Sequence, residues 1–347
     1  MKLISKFFIL LLLISCKEKV EPPKVVLLPK IEITEAGKII PIDSVEIAKI
    51  KDSSVIAFYR ANQNNTFWMT DSNRKNITAL FNNIEQDGLF PKDFDLKKIK
   101  NSGENFENLS NPKLVDYDIL LTENLSRYVQ KVSKGNLNPK KLYSNWELKE
   151  NESNHKTLLL NFRKKDSFDY AVNTASPNHI VYKRLKTALK IINALPKDNF
   201  KKIELKNKIV LNDTNPAMIE IKKKIIYWKD LKPLDSITAI YDEPTELAVK
   251  KFQMRHGLGT DGVIGAGTLL ALNFTKEQRK KQIIANMERW RWFPRTFELE
   301  YLIINIPDYS LHVVKNSDTI MVHKVIIGRP SRKTPVLSSK LTHLIFN

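Results

Sequence analysis

The groups in this chain able to do chemistry are one thiol, a few imidazoles and a cluster of glycines. Each is placed so as to narrow its use. The 347 residues contain one cysteine, Cys16. A thiolate is both nucleophile and metal ligand, but this one has no second cysteine for a disulfide and follows the apolar run Phe7 to Ile14. His312, His323 and His343 lie in the C-terminal segment without ligand spacing to another His, Asp or Glu, so no metal is expected. From Gly257 to Gly265 four glycines fall within nine residues, a density that favours a tight ordered loop over a strand or helix. Such loops can cradle phosphate, but the lysine a phosphate loop needs is absent. No cofactor is expected.

Lys2 and Lys6 precede the apolar run, the pattern of a secretory signal. The run is shorter than the ~20 residues of a transmembrane span. Leu13-Ile14-Ser15-Cys16 looks like a bacterial lipobox, in which the cysteine is lipidated and becomes the mature N-terminus. The reading is therefore a signal peptide over 1–15 and a charged, proline-bearing tether over 16–44. The formal charge of +19 would suit nucleic acid, but export argues against that partner. The lysines are scattered, as in Lys222-Lys223-Lys224 and Lys280-Lys281. Anionic headgroups, acidic wall polymer or plain solvation of a lysine-rich surface all remain open.

The elements that must position any site follow from periodicity. Over 45–200 the pattern is helical. Leu121, Leu125, Tyr128, Val129 and Val132 recur at three and four, with Gly135 as a C-terminal cap. Ile180, Leu185, Leu189, Ile192 and Leu195 make a second such face. Over 215–275, Ile219, Ile225, Ile226 and Leu231 predict one helix. Leu247, Ala248, Lys251 and Phe252 predict a second, opened by Pro244 and closed by Gly257. Thr268 to Leu272 starts a third. Over 298–347 the chain alternates as strands: Tyr301–Ile306, Ser310–Val314, Thr319–Ile327 and the beginning of one more at Leu341–Phe346, with Asn316-Ser317-Asp318 as a hairpin turn.

Ala248-Val249-Lys250-Lys251-Phe252-Gln253, Gly257-Leu258, Asp261-Gly262-Val263-Ile264-Gly265 and Thr268 to Asn273 closely resemble the common three-helix peptidoglycan-binding domain. Asn286 to Trp292, Asn305-Ile306-Pro307 and Gly328 to Lys340 resemble the first part of the catalytic domain of the large L,D-transpeptidases of the YcbB type. Phe58-Tyr59 with Asn62 and Trp68, Asp87 to Phe94, Asp116 to Tyr128, Gly135 to Pro139 and Trp146 resemble that family's helical scaffold domain. The resemblance implies a multidomain α + β chain: an α-helical scaffold, a three-helix binding module, then the first strands of a β-rich catalytic domain left incomplete.

It also implies candidate residues. In the binding module these are Phe252, Gln253, Gly257, Asp261, Gly262 and Gly265, with Phe252 in the core and Asp261-Gly262 fixing the loop. Family enzymes attack a tetrapeptide stem with a cysteine thiolate and pass the acyl group to an amine of a neighbouring stem, forming a 3→3 crosslink. The carrying motif, Ser-His-Gly-Cys with a further histidine, does not occur in the 347 residues; it is expected beyond Asn347. No catalytic residue is therefore assigned, and Cys16 is reserved for lipidation. Trp290, Trp292 and Phe293 serve either sugar stacking or packing between domains. Arg329, Arg332 and Lys333 either face acidic stem carboxylates or form a solvated turn. The expected function is a lipid-anchored murein L,D-transpeptidase-family protein of the cell envelope, acting in peptidoglycan crosslinking and wall biogenesis but inactive by itself. The alternative is a non-catalytic peptidoglycan-binding lipoprotein. The expected partners are stem peptides and glycan of peptidoglycan, and a periplasm-facing membrane, the outer one included, held through the lipid.

Overall fold

The computed structural model describes residues 38–164 and 168–343. The apolar run, Cys16 and most of the expected tether lie outside them. Thirteen α-helices are described: α1 (Ser44–Lys49), α2 (Ser53–Ala61), α3 (Asp71–Asn82), α4 (Leu96–Glu104), α5 (Asn111–Lys134), α6 (Pro139–Leu142), α7 (His155–Asn161), α8 (Phe168–Ala175), α9 (Ile180–Ala194), α10 (Ala217–Tyr227), α11 (Glu243–Arg255), α12 (Ala266–Leu272) and α13 (Lys276–Arg291). Three antiparallel strands follow, β1 (Glu300–Asn305), β2 (Ser310–Lys315) and β3 (Asp318–Lys324), in the order β1-β2-β3.

Helix α5 is the axis of the first helical body. Its stripe of Leu121, Leu125, Tyr128, Val129 and Val132 is fully buried, and Gly135 caps it, as the periodicity requires. The same helix also buries Asp118 and Thr122. The Asp118 carboxylate accepts from the backbone N–H of Phe67 (2.9 Å) and Trp68 (2.7 Å) and from the Tyr59 hydroxyl (2.8 Å). Thr122 accepts from the Trp68 indole N–H at 2.9 Å. The resembling residues Phe58-Tyr59 and Trp68 thus fasten the turn after α2 onto α5. Burial pushes the Asp118 carboxyl up to about 7.

Helix α13 was not foreseen. Its charged sequence hides the stripe, since only Met287, Glu288 and Arg291 are buried on it. A capping box starts it: Thr275 accepts from the Gln278 N–H while Gln278 accepts from the Thr275 N–H. It lies against α9, where Met287 joins Tyr182 and Leu189 in a small core. At its C-terminal end Glu288 Oε1 accepts from the backbone N–H groups of Asn136 (2.5 Å) and Leu137 (2.9 Å) and from the Trp292 indole at 3.3 Å. Arg291, wholly buried, donates to Glu288 Oε2 at 3.2 Å, to the Tyr182 hydroxyl at 3.2 Å and to the Asp87 carbonyl. Asp87 in turn pairs with Lys186 at 2.5 Å and accepts from Tyr128 at 3.0 Å.

The aromatic residues after α13 pack internally. Trp292 meets Trp146 edge-on at 5.6 Å, and Phe293 meets the same ring at 6.0 Å. Trp290 stacks on His179 at 4.2 Å. His179 Nδ1 accepts from the Val181 N–H that opens α9, so its Nε2–H donates to the Tyr301 hydroxyl at 2.8 Å. Packing, the second of the two readings, describes them.

In the sheet, Asn316 and Ser317 both take positive φ (49° and 71°), the geometry of a two-residue hairpin turn. All seven residues of β3 are exposed. The strand stops at Lys324, short of the expected Ile327. Leu341 to His343 are not in a strand, and 344–347 lie outside the described residues. Val336 instead pairs with the chain around Trp146, its N–H donating to the Asn145 carbonyl at 2.8 Å and its carbonyl accepting from Glu147 at 2.9 Å.

Two stability experiments test this frame. Gly135 has φ +86° and ψ 178°, a region open essentially to glycine, and an added Cβ would meet Glu288 Oε1 at 2.5 Å. Gly135→Ala should destabilise the fold by about 2–4 kcal/mol. Gly259→Ala, where a Cβ meets nothing, should stay within about 0.5 kcal/mol in the same denaturation series. Burial pushes the His179 imidazole down from 6.5 to about 4. A lowered base keeps its full contribution above pH 6.5 and loses it as pH falls toward 4, because the unfolded chain takes up the proton first. His179→Asn should therefore flatten the fall in thermal midpoint across that window relative to wild type. The difference between the two curves is the quantity to measure, since Asp118, raised from 3.8, contributes with opposite sign.

Candidate functional site

The glycine-rich loop lies between α11 and α12. Helix α11 starts at Asp242, which accepts from the Thr245 N–H at 3.0 Å and also pairs with the buried Lys222 of α10 at 2.5 Å. Phe252, Val249, Met218, Ile221, Ile225, Ile264 and Leu272 form the module's core. On α10 the inward face is Met218, Ile221 and Ile225. Ile219 is exposed and Leu231 falls beyond the helix end, so the expected phase there was off. Leu247 is likewise exposed on α11.

Gln253 organises the loop. One residue past Phe252 on α11, it is 1% exposed. Its Nε2 donates to Asp261 Oδ1 (2.9 Å), the Val263 carbonyl (3.0 Å) and Thr268 Oγ1 (3.1 Å), and its Oε1 accepts from the Gly262 N–H at 2.9 Å. Asp261 Oδ1 also accepts from the Val263 N–H at 2.9 Å. These donors hold the exposed Asp261 carboxyl below the usual carboxylate range. Gly262 takes φ +76°, and a Cβ there would meet Glu246 Oε1 at 2.8 Å. Tyr241 donates to the Gly262 carbonyl at 2.6 Å from a fully buried position.

The six expected residues therefore divide by role. Phe252 fills the core, Gln253 and Gly262 are buried supports, and Gly257 turns the chain after the helix cap at His256. Gly265 caps α12, and Asp261 faces solvent. Cys16 lies outside the described residues. Sequence reasoning missed Tyr241 and Glu246, which reach the loop from outside the glycine cluster. A tyrosine just before the Asp-Glu-Pro helix start was the available signal. Asn273 was quoted only as part of the framework. Its side chain exchanges hydrogen bonds with both backbone groups of Ile203, at 2.9 and 2.8 Å, closing the module onto the chain that leads into it.

Two Ser–His–carboxylate neighbourhoods also occur. Ser126 Oγ lies 2.8 Å from His155 Nε2 and donates to Asp52. Ser310 Oγ lies 2.9 Å from His312 Nε2 and 2.7 Å from Asp308. In a hydrolytic triad the carboxylate orients the imidazole and the hydroxyl gives its proton to that ring. Here the carboxylates bind the hydroxyls, which leaves the serines unactivated. Among the described residues no group of three or more His, Cys, Asp or Glu is arranged to hold a metal.

Gln253→Leu tests the hub. It would strand the buried Gly262 N–H and take one donor from the Val263 carbonyl, which keeps Thr268 Oγ1 and the Gly265 N–H, a cost of about 1–3 kcal/mol. Hydrogen exchange should accelerate across 257–265 and leave α5 protected; unchanged loop protection would remove Gln253 from this role.

Residues 53–189 match the family model described as "Scaffold domain", and residues 214–272 match "Putative peptidoglycan binding domain". A Haemophilus influenzae protein named "Putative L,D-transpeptidase" is 36% identical over 74 residues, which is 21% of this chain and 15% of that protein. The chain thus spans a small part of the relative's length. No helix among the described residues is long and apolar enough to cross a membrane. The order of a scaffold domain, a peptidoglycan-binding domain and a β-rich segment, with the likeness to an L,D-transpeptidase, supports a YcbB-type architecture.

Proposed function

We propose that the chain is a lipid-anchored envelope protein that docks on peptidoglycan through the module around Gln253 and serves the crosslinking chemistry of the L,D-transpeptidases. The observation that carries it is the loop of 257–265, built rigidly from α11 and α12 inside the segment that matches the binding-domain family. The boundaries of this reading are a signal over 1–15 and a tether over 16–44 that begins at the lipidated Cys16. A scaffold over 45–200, the binding module over 215–275 and the β-rich segment over 298–347 follow. The lipid would hold the protein to a periplasm-facing membrane, and the formal charge of +19 would favour acidic wall polymer.

The family reaction needs a thiolate that attacks the stem peptide carbonyl, expels the terminal residue and holds the acyl group until an amine takes it. The 347 residues offer only Cys16. In this proposal that thiol carries lipid, so these residues bind wall and do not turn it over.

The full chain should co-sediment with insoluble peptidoglycan and stay in the pellet at about 0.3 M salt, where exposed charges are screened beyond a few ångströms. Recovery in the supernatant at low salt would defeat the binding reading. Loss only at the higher salt would assign the attachment to net charge rather than to the shaped loop. The same preparation should form no covalent adduct with a carbapenem; an adduct on the lipid-modified chain would defeat the non-catalytic half.

A further inference from the structure

The first helical body carries a second candidate site that none of the matches explains. The turn after α2 runs Asn62-Gln63-Asn64-Asn65-Thr66, with Gln63 and Asn64 both at positive φ (54° and 53°). Asn62, Gln63, Asn65 and Thr66 of this turn wall a cavity of about 290 Å³ together with Ile39, Ala61, Phe67 and Arg163, and among the described residues no aspartate or glutamate lines it. Arg163 reaches the cavity from the end of α7. Its Nη2 donates to Asn62 Oδ1 at 3.2 Å, and its guanidinium sits 5.9 Å over the Phe58 ring. Its Nε is buried and finds no acceptor among the described residues. A half-buried cation that meets, among the described residues, one neutral amide and the face of a phenyl ring is an incomplete arrangement, because a buried charge is stable when an opposite charge or a full set of acceptors meets it.

The donors left over define the missing group. Guanidinium presents paired N–H bonds in a fork that fits a carboxylate. Beside it, Thr66 accepts from the Ile40 N–H at 3.1 Å and still has its hydroxyl proton to give. The Gln63 side chain makes no hydrogen bond among the described residues. Asn62 and Asn65 are committed to the turn, donating to the carbonyls of Asn65, Thr66, Asn62 and Gln63. The cavity therefore offers one cation, two uncommitted polar side chains and the Phe67 ring, in a volume suited to one or two residues of peptide.

We propose that this cavity is a recognition subsite for the C-terminal carboxylate of a short peptide, with Arg163 as the anchoring cation. The choice of a peptide as carrier of that carboxylate rests on the cell-wall reading above. The co-sedimentation experiment tests that reading separately, through a different domain.

The test is calorimetric titration of the full chain with N-acetyl-D-alanyl-D-alanine and with its C-terminal amide. The free acid should bind at least about tenfold more tightly than the amide, the discrimination expected of a charge-assisted pair. Arg163→Gln should abolish that preference with an unchanged thermal midpoint, and Arg163→Lys should retain part of it. Gln63→Ala, on the exposed turn, should weaken the acid about threefold and guards against a misfolded Arg163 variant. Equal binding of acid and amide, no binding of either, a preference that survives Arg163→Gln, or inorganic phosphate binding more tightly than the peptide would each overturn the assignment. If the acid binds and wall sedimentation fails, the subsite stands and the docking proposal falls; the reverse outcome leaves docking intact.

Discussion

The carboxylate of Glu288 sits where three stretches of chain, distant in sequence, come together. Oε1 takes the backbone N–H groups of Asn136 and Leu137, more than 150 residues upstream, while Oε2 takes the wholly buried guanidinium of Arg291. Arg291 then reaches Asp87 and Tyr182, and Asp87 reaches Lys186 and Tyr128. A buried charge pair of this kind adds little net stability over an apolar replacement, but losing one member strands the other in a low-dielectric interior. Its value lies in geometry: it ties α5, α9 and α13 together at one junction. Everything after Trp292 leaves from that junction, so the direction in which the β segment sets out follows from the scaffold.

Periodicity made the helical bodies legible wherever a stripe was apolar, as on α5, where five foreseen positions are fully buried. It failed where burial falls on charge. Helix α13 shows solvent a run of lysine and arginine and hides Glu288 and Arg291 inside, so its apolar pattern is too sparse to register. On α10 the isoleucines suggested a face, but Met218 and Ile221 set the true phase. A single helix carrying apolar residues on more than one side cannot be phased without its neighbours.

The candidate site was legible in kind more than in detail. Glycine spacing located the loop, and Phe252-Gln253 located the helix behind it. What spacing could not reveal is that Gln253 satisfies four groups at once and that Tyr241 closes the far side. Such bonds join residues through space, and a lone buried amide has no sequence signature. The same reason hid Arg163, whose setting is defined by what packs around it in space. The two Ser–His–carboxylate groupings teach the converse: proximity of the right residue types is not chemistry until the proton has the right path.

The exposure of β3 has a practical consequence. Ile320, Met321 and Val322 are adjacent, each more than half exposed, on the last strand of the order β1-β2-β3. A row of unpaired backbone donors and acceptors flanked by apolar side chains is a template for adding another strand. Lys315 and Lys324 stand near its ends and leave the middle unguarded. A charge placed at Met321 is therefore the substitution that would oppose edge-to-edge pairing through Ile320–Val322.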